Sequence, residues 1–190
     1  MKDNSKKIHR KSIRLSEYDY SFPNWYYITV CTYERRNLLG EIKNGETILN
    51  KIGQVVEEEW IRTKEIRKYV DLDYYVIMPN HLHGIIIIEQ SIENGRGELN
   101  SPTRDNTGRI QYAPTKNKFK SPSHSLGAIV RGFKSSVTKK IKELPGHSEL
   151  KIWQRNYYEH IIRNELDLQN IRQYINLNPL KWEIDEYFKL

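Results

Sequence analysis

Residues Pro79 to Ile88 read Pro-Asn-His-Leu-His-Gly-Ile-Ile-Ile-Ile, and this stretch restricts the fold more than any other. The run of β-branched residues predicts a strand buried on both faces, and the Pro-Asn turn signal marks where it begins. Two histidines therefore open a core strand. Because side chains alternate across a strand, His81 and His83 project from one face about 7 Å apart along the chain, with Leu82 pointing the other way. Two imidazoles on one side of a rigid strand can grip one metal ion. A His-x-His pair also occurs in many chains as two ordinary polar residues at a strand end, so the rest of the sequence has to decide.

The length of 190 residues suits a single domain with one sizeable core plus an extension. A net charge of +7 together with 13 tyrosines and 4 tryptophans suits nucleic acid, since lysine and arginine neutralise phosphates and flat rings stack on exposed bases. A merely soluble basic protein has the same composition. Cys31 is the sole cysteine, which excludes an intrachain disulfide and a thiolate metal cluster and points to a reducing compartment. No stretch reads as a signal peptide or a membrane span, so a soluble cytoplasmic protein is expected.

Residues 1–21 are polar and basic, without an apolar period, and are read as a flexible arm. Trp25 to Thr32 is a dense β-forming run and predicts the first strand. From Thr47, a plausible N-cap, Ile48, Ile52, Val55, Val56 and Trp60 recur at helical spacing, with Glu57, Glu58 and Glu59 mostly on the wet side. Asp71 to Met78 predicts a second strand, joined to the histidine strand as a hairpin. Residues 93–123 are rich in Asn, Gly, Pro, Ser, Thr and Lys and predict a long loop.

Ser125 caps a second helix whose stripe is Leu126, Ile129, Val130, Phe133, Val137 and Ile141; Arg131, Lys134, Thr138 and Lys142 gather opposite, a basic stripe that suits a DNA backbone as well as plain solvent. Pro145-Gly146 ends it. Lys151 to Ile162 is β-like again, and Asn164 caps a last helix with Leu168, Ile171 and Ile175 buried and Tyr174 at the margin. Asn178 precedes Pro179, which disfavours α geometry and places Asn178 at or just past the helix end.

Strand, helix, strand, strand, loop, helix, strand, helix is the order of an α+β, ferredoxin-like split βαβ fold, one antiparallel sheet with helices on one face. The histidine strand is central in that plan. The C-terminal helix is additional.

Four segments, Ile77 to His83, Ser125 to Lys134, Trp153 to His160 and Tyr174 to Pro179, resemble in order the REP-associated tyrosine transposases, within the single-tyrosine transposases named for a histidine-hydrophobic-histidine motif. The resemblance spans about Trp25 to Trp182. It implies a ferredoxin-like domain over residues 22–190, a divalent cation (Mg²⁺ or Mn²⁺) on His81 and His83 with Asn178 in the place of a third, amide-type ligand, and a nucleophilic tyrosine on the last helix, by position Tyr174. The implied activity is metal-dependent cleavage and rejoining of single-stranded DNA near a hairpin. A homodimer is compatible with it, with Tyr174 completing either its own site or its partner's.

The residues suit that chemistry. Rejoining DNA without an energy source needs a covalent protein nucleophile, and a phenol with a pKa of about 10 needs help at neutral pH. Neutral imidazoles are required to bind a cation, which predicts falling activity below about pH 6. Tyr157 and Tyr158 rival Tyr174 on residue type alone, and His160 is read as structural. Trp153 and Arg155 join Arg131 and Lys134 as candidate DNA contacts. Two other functions remain open: a catalytically silent nucleic-acid-binding protein of the same fold, and a hydrolytic metal-dependent nuclease using water.

Overall fold

The structure is a computed structural model that describes residues 18–89 and 124–184. The predicted loop at 93–123 and residues 1–17 of the predicted basic arm lie outside the described residues. The elements, in chain order, are β1 (Asn24–Cys31), β2 (Gly40–Lys43), β3 (Glu46–Leu49), α1 (Lys51–Glu65), β4 (Val70–Met78), β5 (His81–Ile88), α2 (Leu126–Lys142), β6 (Tyr158–Ile161) and α3 (Glu165–Leu177), with 3-10 segments at Tyr33–Arg35 and Pro179–Ile184.

The main sheet runs β4-β5-β1-β6 with every neighbour antiparallel, the ferredoxin-like arrangement expected of the element order. β5 is central. It pairs with β1 from Asn24↔Ile88 to Cys31↔His81 and with β4 on its other edge, so its isoleucines have neighbours on both sides. Alternation along β1 and β5 divides the molecule. Tyr26, Ile28, Val30, Leu82 and Ile86 face α1 and α2, where Ile52, Val56, Trp60 and the α2 stripe complete the larger core. Tyr27 and Ile85 face the opposite way and meet Leu168 and Ile175 of α3. Ile85 and Ile86 are fully buried on opposite faces, each burial stabilising by about 2 kcal/mol.

α3 is fixed on its face of the sheet by a bulge. Leu72 pairs with Ile86 and Tyr75 with Gly84, so Asp73 and Tyr74 together oppose Ile85. The Asp73 carboxylate accepts a 2.8 Å hydrogen bond from Arg172 Nε of α3, and the Arg172 guanidinium lies over the rings of Trp25 and Tyr74. Two residues on, the same helix carries Tyr174.

Several expectations are corrected. The first helix starts at Lys51 with Asn50 as its cap, Oδ1 accepting from Ile52 N and Gly53 N; Thr47 and Ile48 instead belong to β3. β2 and β3 form a hairpin turned by Asn44-Gly45, both at positive φ, a turn signal that outweighs the helical spacing starting at Thr47. Glu59 is not on the wet side: it is buried, with Oε1 2.7 Å from Lys140 Nζ and 3.2 Å from an Arg62 guanidinium nitrogen, tying α1 to α2. Of Lys151 to Ile162, only Tyr158–Ile161 is a strand; Trp153 makes an isolated bridge to Thr32. Within the predicted arm, Tyr18 and Tyr20 pack on the core, Tyr18 Oη lying 3.2 Å from Tyr26 Oη. Asn178 is the C-cap of α3 and has α geometry (φ −59°, ψ −44°) despite Pro179, because the chain continues directly into a 3-10 segment.

Candidate active site

Three elements converge on the α3 side of the sheet. β5 contributes His81 and His83, β1 contributes Tyr27 and Thr29, and α3 contributes Tyr174. The histidine rings lie 4.3 Å apart, centroid to centroid, and both residues are fully buried. Tyr174 Oη lies 3.4 Å from His83 Nε2, at the outer limit of a hydrogen bond. The tyrosine itself is 42% exposed, so a buried imidazole meets a phenol that solvent and large substrates can reach.

Hydrogen bonds set the proton on each ring. Asn80 donates its amide Nδ2 to Arg35 O at 3.2 Å, which leaves Oδ1 to accept from His81 Nδ1 at 2.7 Å. His81 therefore carries its proton on Nδ1 and a lone pair on Nε2. At His83, Nδ1 is 2.7 Å from Tyr27 Oη and 2.9 Å from Thr29 Oγ1, while Thr29 donates its own proton to Tyr27 Oη at 3.2 Å. With Nδ1 donating into this hydroxyl pair, Nε2 of His83 faces Tyr174 with its lone pair.

Burial holds both rings neutral. It pushes His81 down to about 3, with the positive charge of Arg35 adding to the effect, and it pushes His83 well below its usual value, with His81 adding to it. Burial thus opposes the protonation to which the expected fall of activity below about pH 6 is ascribed. Two neutral imidazoles offering Nε2 lone pairs are the donor chemistry a divalent cation needs, so the residues fit such an ion. Among the described residues no group of three His, Cys, Asp or Glu side chains gathers to hold a metal, which leaves any third protein donor to an amide or another neutral oxygen. Asn178, the candidate third ligand, is buried one turn beyond Tyr174. Past it, the Trp182 ring lies 6.1 Å from His81, so the end of α3 and the segment after it fold over the histidine pair.

The rival tyrosines separate. Tyr157 packs against the larger core, whereas Tyr158 stands beside Tyr27 on the histidine face of the sheet, ring centroids 6.2 Å apart. His160 donates from Nε2 to Asp167 Oδ2 at 2.9 Å.

The candidate DNA contacts divide as well. Lys134, Trp153 and Arg155 line one open groove of about 1580 Å³ between α2 and the 149–156 segment, together with Lys139, Lys142 and Lys151. Lys134 is turned inward: Nζ donates to Gln154 O at 2.6 Å and Arg155 O at 3.3 Å, and burial lowers its pKa. Trp153 packs on Phe133 with centroids 5.9 Å apart. Arg155 is exposed in the groove; Arg131 is exposed on α2 outside it.

Sequence reasoning missed Tyr27, Thr29 and Asn80 as partners of the histidines, and Arg35. Glu34 and Arg35 both have left-handed backbones (φ 56° and 53°), strain of the kind that clusters at functional sites. The alternation of Tyr27 and Thr29 along β1 was a readable signal, but only the antiparallel register that pairs Thr29 with His83 brings them to the histidine.

Comparison with known proteins follows the same lines. No family model matches the chain. An uncharacterized protein of Haemophilus influenzae is 41% identical over 181 residues, covering 95% of this chain and 93% of that one. A second protein of the same organism, provisionally assigned as a REP-associated tyrosine transposase, is 30% identical over 105 residues; the match covers 55% of this chain and 47% of that relative. Among solved structures, a REP-associated tyrosine transposase bound to a REP hairpin superposes with a TM-score of 0.54 at 21% identity, over 88% of this chain and 74% of that one. The chain is similar to the REP-associated tyrosine transposases in sequence and in fold. No helix among the described residues is long and apolar enough to cross a membrane.

Proposed function

We propose that the chain cuts and rejoins single-stranded DNA, at or beside a hairpin, through a covalent phosphotyrosine at Tyr174. The observation that carries this reading is the approach of Tyr174 Oη to His83 Nε2 at 3.4 Å, a reachable nucleophile beside the buried histidine pair. Support from outside the chain is the shared fold of a transposase solved with a REP hairpin.

In this reading Tyr174 Oη attacks the scissile phosphorus, the bond from phosphorus to the DNA 3′ oxygen breaks, and the phenol's proton passes through solvent at the exposed tyrosine to the departing 3′ oxygen, which leaves as a hydroxyl. The phosphotyrosine keeps the energy of the broken bond, so the same or another 3′-hydroxyl can reverse the step without ATP. His81, His83 and Asn178 would hold Mg²⁺ or Mn²⁺, which supplies Lewis-acid stabilisation of charge on the phosphate oxygens. Tyr27 and Thr29 hold the His83 ring, and Asn80 holds that of His81. The groove with Lys139, Lys142, Lys151 and Arg155 offers a basic path for the DNA backbone.

The test is incubation of the protein with end-labelled hairpin oligonucleotides from the flanks of its own gene, with Mn²⁺ or EDTA, on a denaturing gel. A protein-DNA band that requires metal and is lost in Tyr174→Phe and His81→Ala is expected. Cleaved DNA without attached protein would replace the reading with a hydrolytic nuclease. Tight binding without cleavage would replace it with a silent binding module.

A further inference from the structure

Beside Tyr174 lies a second, smaller hollow whose outer residues, Tyr158, His160, Asp167, Asn170 and Ile171, have no part in the chemistry above. It has a volume of about 590 Å³ and is lined by Tyr27, Thr29, Tyr158, His160, Asp167, Asn170, Ile171 and Tyr174. That size is within the range of small-molecule sites. Tyr27 forms a floor. The rings of Tyr158 and Tyr174 meet it edge-on, with centroid distances of 6.2 and 6.4 Å and interplanar angles of 68° and 87°. Tyr158 is 45% exposed, a large ring left facing the opening rather than packed away.

The polar members have fixed or paired capacities. Asp167 accepts the Nε2 proton of His160 at 2.9 Å and also accepts from Arg163 N at 3.2 Å, and Asn164 caps α3 by accepting from Asp167 N. The His160 ring is thereby held from two elements, β6 and the first turn of α3. With Nε2 engaged by Asp167, Nδ1 is the ring nitrogen left to meet a ligand. Asn170 is exposed at the hollow and supplies both a donor and an acceptor. Aromatic walls with one polar edge that both donates and accepts match a flat heterocycle bearing a hydrogen-bonding rim.

We propose that this hollow receives one unpaired nucleobase adjoining the scissile phosphate. Resting on the strand-cleavage reading above, the argument is one of reach: Tyr174 lines the hollow and points its Oη at His83, so a phosphate positioned for attack leaves a neighbouring nucleotide at the opening. Tyr158 provides the stacking face, and His160 and Asn170 contact the base edge. A base paired in a duplex presents no free face to Tyr158, which selects for an unpaired nucleotide at that position.

The experiment uses the full chain with Mn²⁺ and a single-stranded oligonucleotide whose scissile position has been mapped from the wild-type adduct. Each of the two flanking nucleosides is replaced in turn by an abasic residue, and adduct rates are compared in wild type, Tyr158→Leu and Asn170→Ala. The expected result is a loss of about tenfold or more at one flanking position in wild type, the scale of one base-aromatic stack, shrinking to less than about threefold in the two variants. No loss at either position, or an equal loss in wild type and variants, would overturn the base site while leaving Tyr174 as the nucleophile. Absence of a wild-type adduct with any oligonucleotide would overturn the cleavage reading and this inference with it.

Discussion

Tyr174 and His83 are 91 residues apart in sequence, yet Tyr174 Oη and His83 Nε2 are 3.4 Å apart within one chain. Their meeting is produced by the sheet. β5 is central, so His83 stands on a strand paired along both edges, and α3 is tied across β4 by Arg172 to the Asp73 bulge, so the helix turn bearing Tyr174 is held against it. Tyr174 and the histidine pair thus meet within one chain.

Tyr27 is expected to tune that pair without supporting the core through its hydroxyl. Removing the oxygen in Tyr27→Phe keeps the ring but deletes a 2.7 Å partner of His83 Nδ1. Partners of this kind typically change metal affinity by about 10 to 100-fold. Mn²⁺ titration followed by electron paramagnetic resonance should show about tenfold weaker binding with the melting temperature nearly unchanged, and Thr29→Val should lower the affinity further when combined with it.

Acid should destabilise the metal-free protein. Burial pushes His81 down to about 3 in the fold, against the ordinary imidazole value of about 6.5 in the unfolded chain, and His83 is also depressed. As pH falls through about 6.5 the unfolded chain takes up protons that the folded chain refuses, so stability present above that pH is lost toward the folded values. The slope is up to about 1.4 kcal/mol per pH unit for each histidine. Urea midpoints measured from pH 7.5 to 4.5 should fall, and the fall should be shallower in His81→Gln.

How far the sequence determined these features can be judged from particular residues. The Ile85–Ile88 run and the Asn164 and Ser125 caps were legible because burial on both faces and capping chemistry are local. The α2 stripe was legible for the same reason, and its six predicted residues are the ones buried. Glu59 was misplaced because its partner Lys140 is on another helix, and no local pattern reports an interhelical ion pair. Lys134 was read as a free cation because the carbonyls it holds belong to a segment 20 residues away. The β2–β3 hairpin, by contrast, was announced by Asn44-Gly45 and was hidden only by helical spacing that happened to begin at Thr47.

Gly84 is required by the helix across the sheet. A Cβ there would lie 2.4 Å from Trp60 Cζ2 and 2.8 Å from Cη2, and Trp60 is itself buried and wedged against Phe133 and Tyr75. Gly84→Ala should therefore cost about 1–3 kcal/mol, a drop in melting temperature of several degrees for a chain of this size. Differential scanning calorimetry checks this, and Trp60→Phe in the same chain should recover part of the loss by vacating the space.

Lys134 and Arg155 line one groove but are expected to respond oppositely to substitution. Lys134 Nζ is bound to two carbonyls of the segment that carries Arg155, so its charge supports the groove wall and has little left for phosphate. Lys134→Met should lower stability by about 0.5–1.5 kcal/mol, the net worth of a partly buried hydrogen bond, and should reduce DNA affinity only through loss of the wall. Arg155→Ala removes an exposed charge, so the melting temperature should hold while binding to single-stranded DNA weakens and the slope of log affinity against log salt becomes shallower by about 0.7, the value for one phosphate contact on a single strand. Fluorescence anisotropy at several salt concentrations separates the two. An unchanged salt slope in Arg155→Ala would remove the groove from the DNA path, and an unchanged melting temperature in Lys134→Met would return Lys134 to the set of free surface cations.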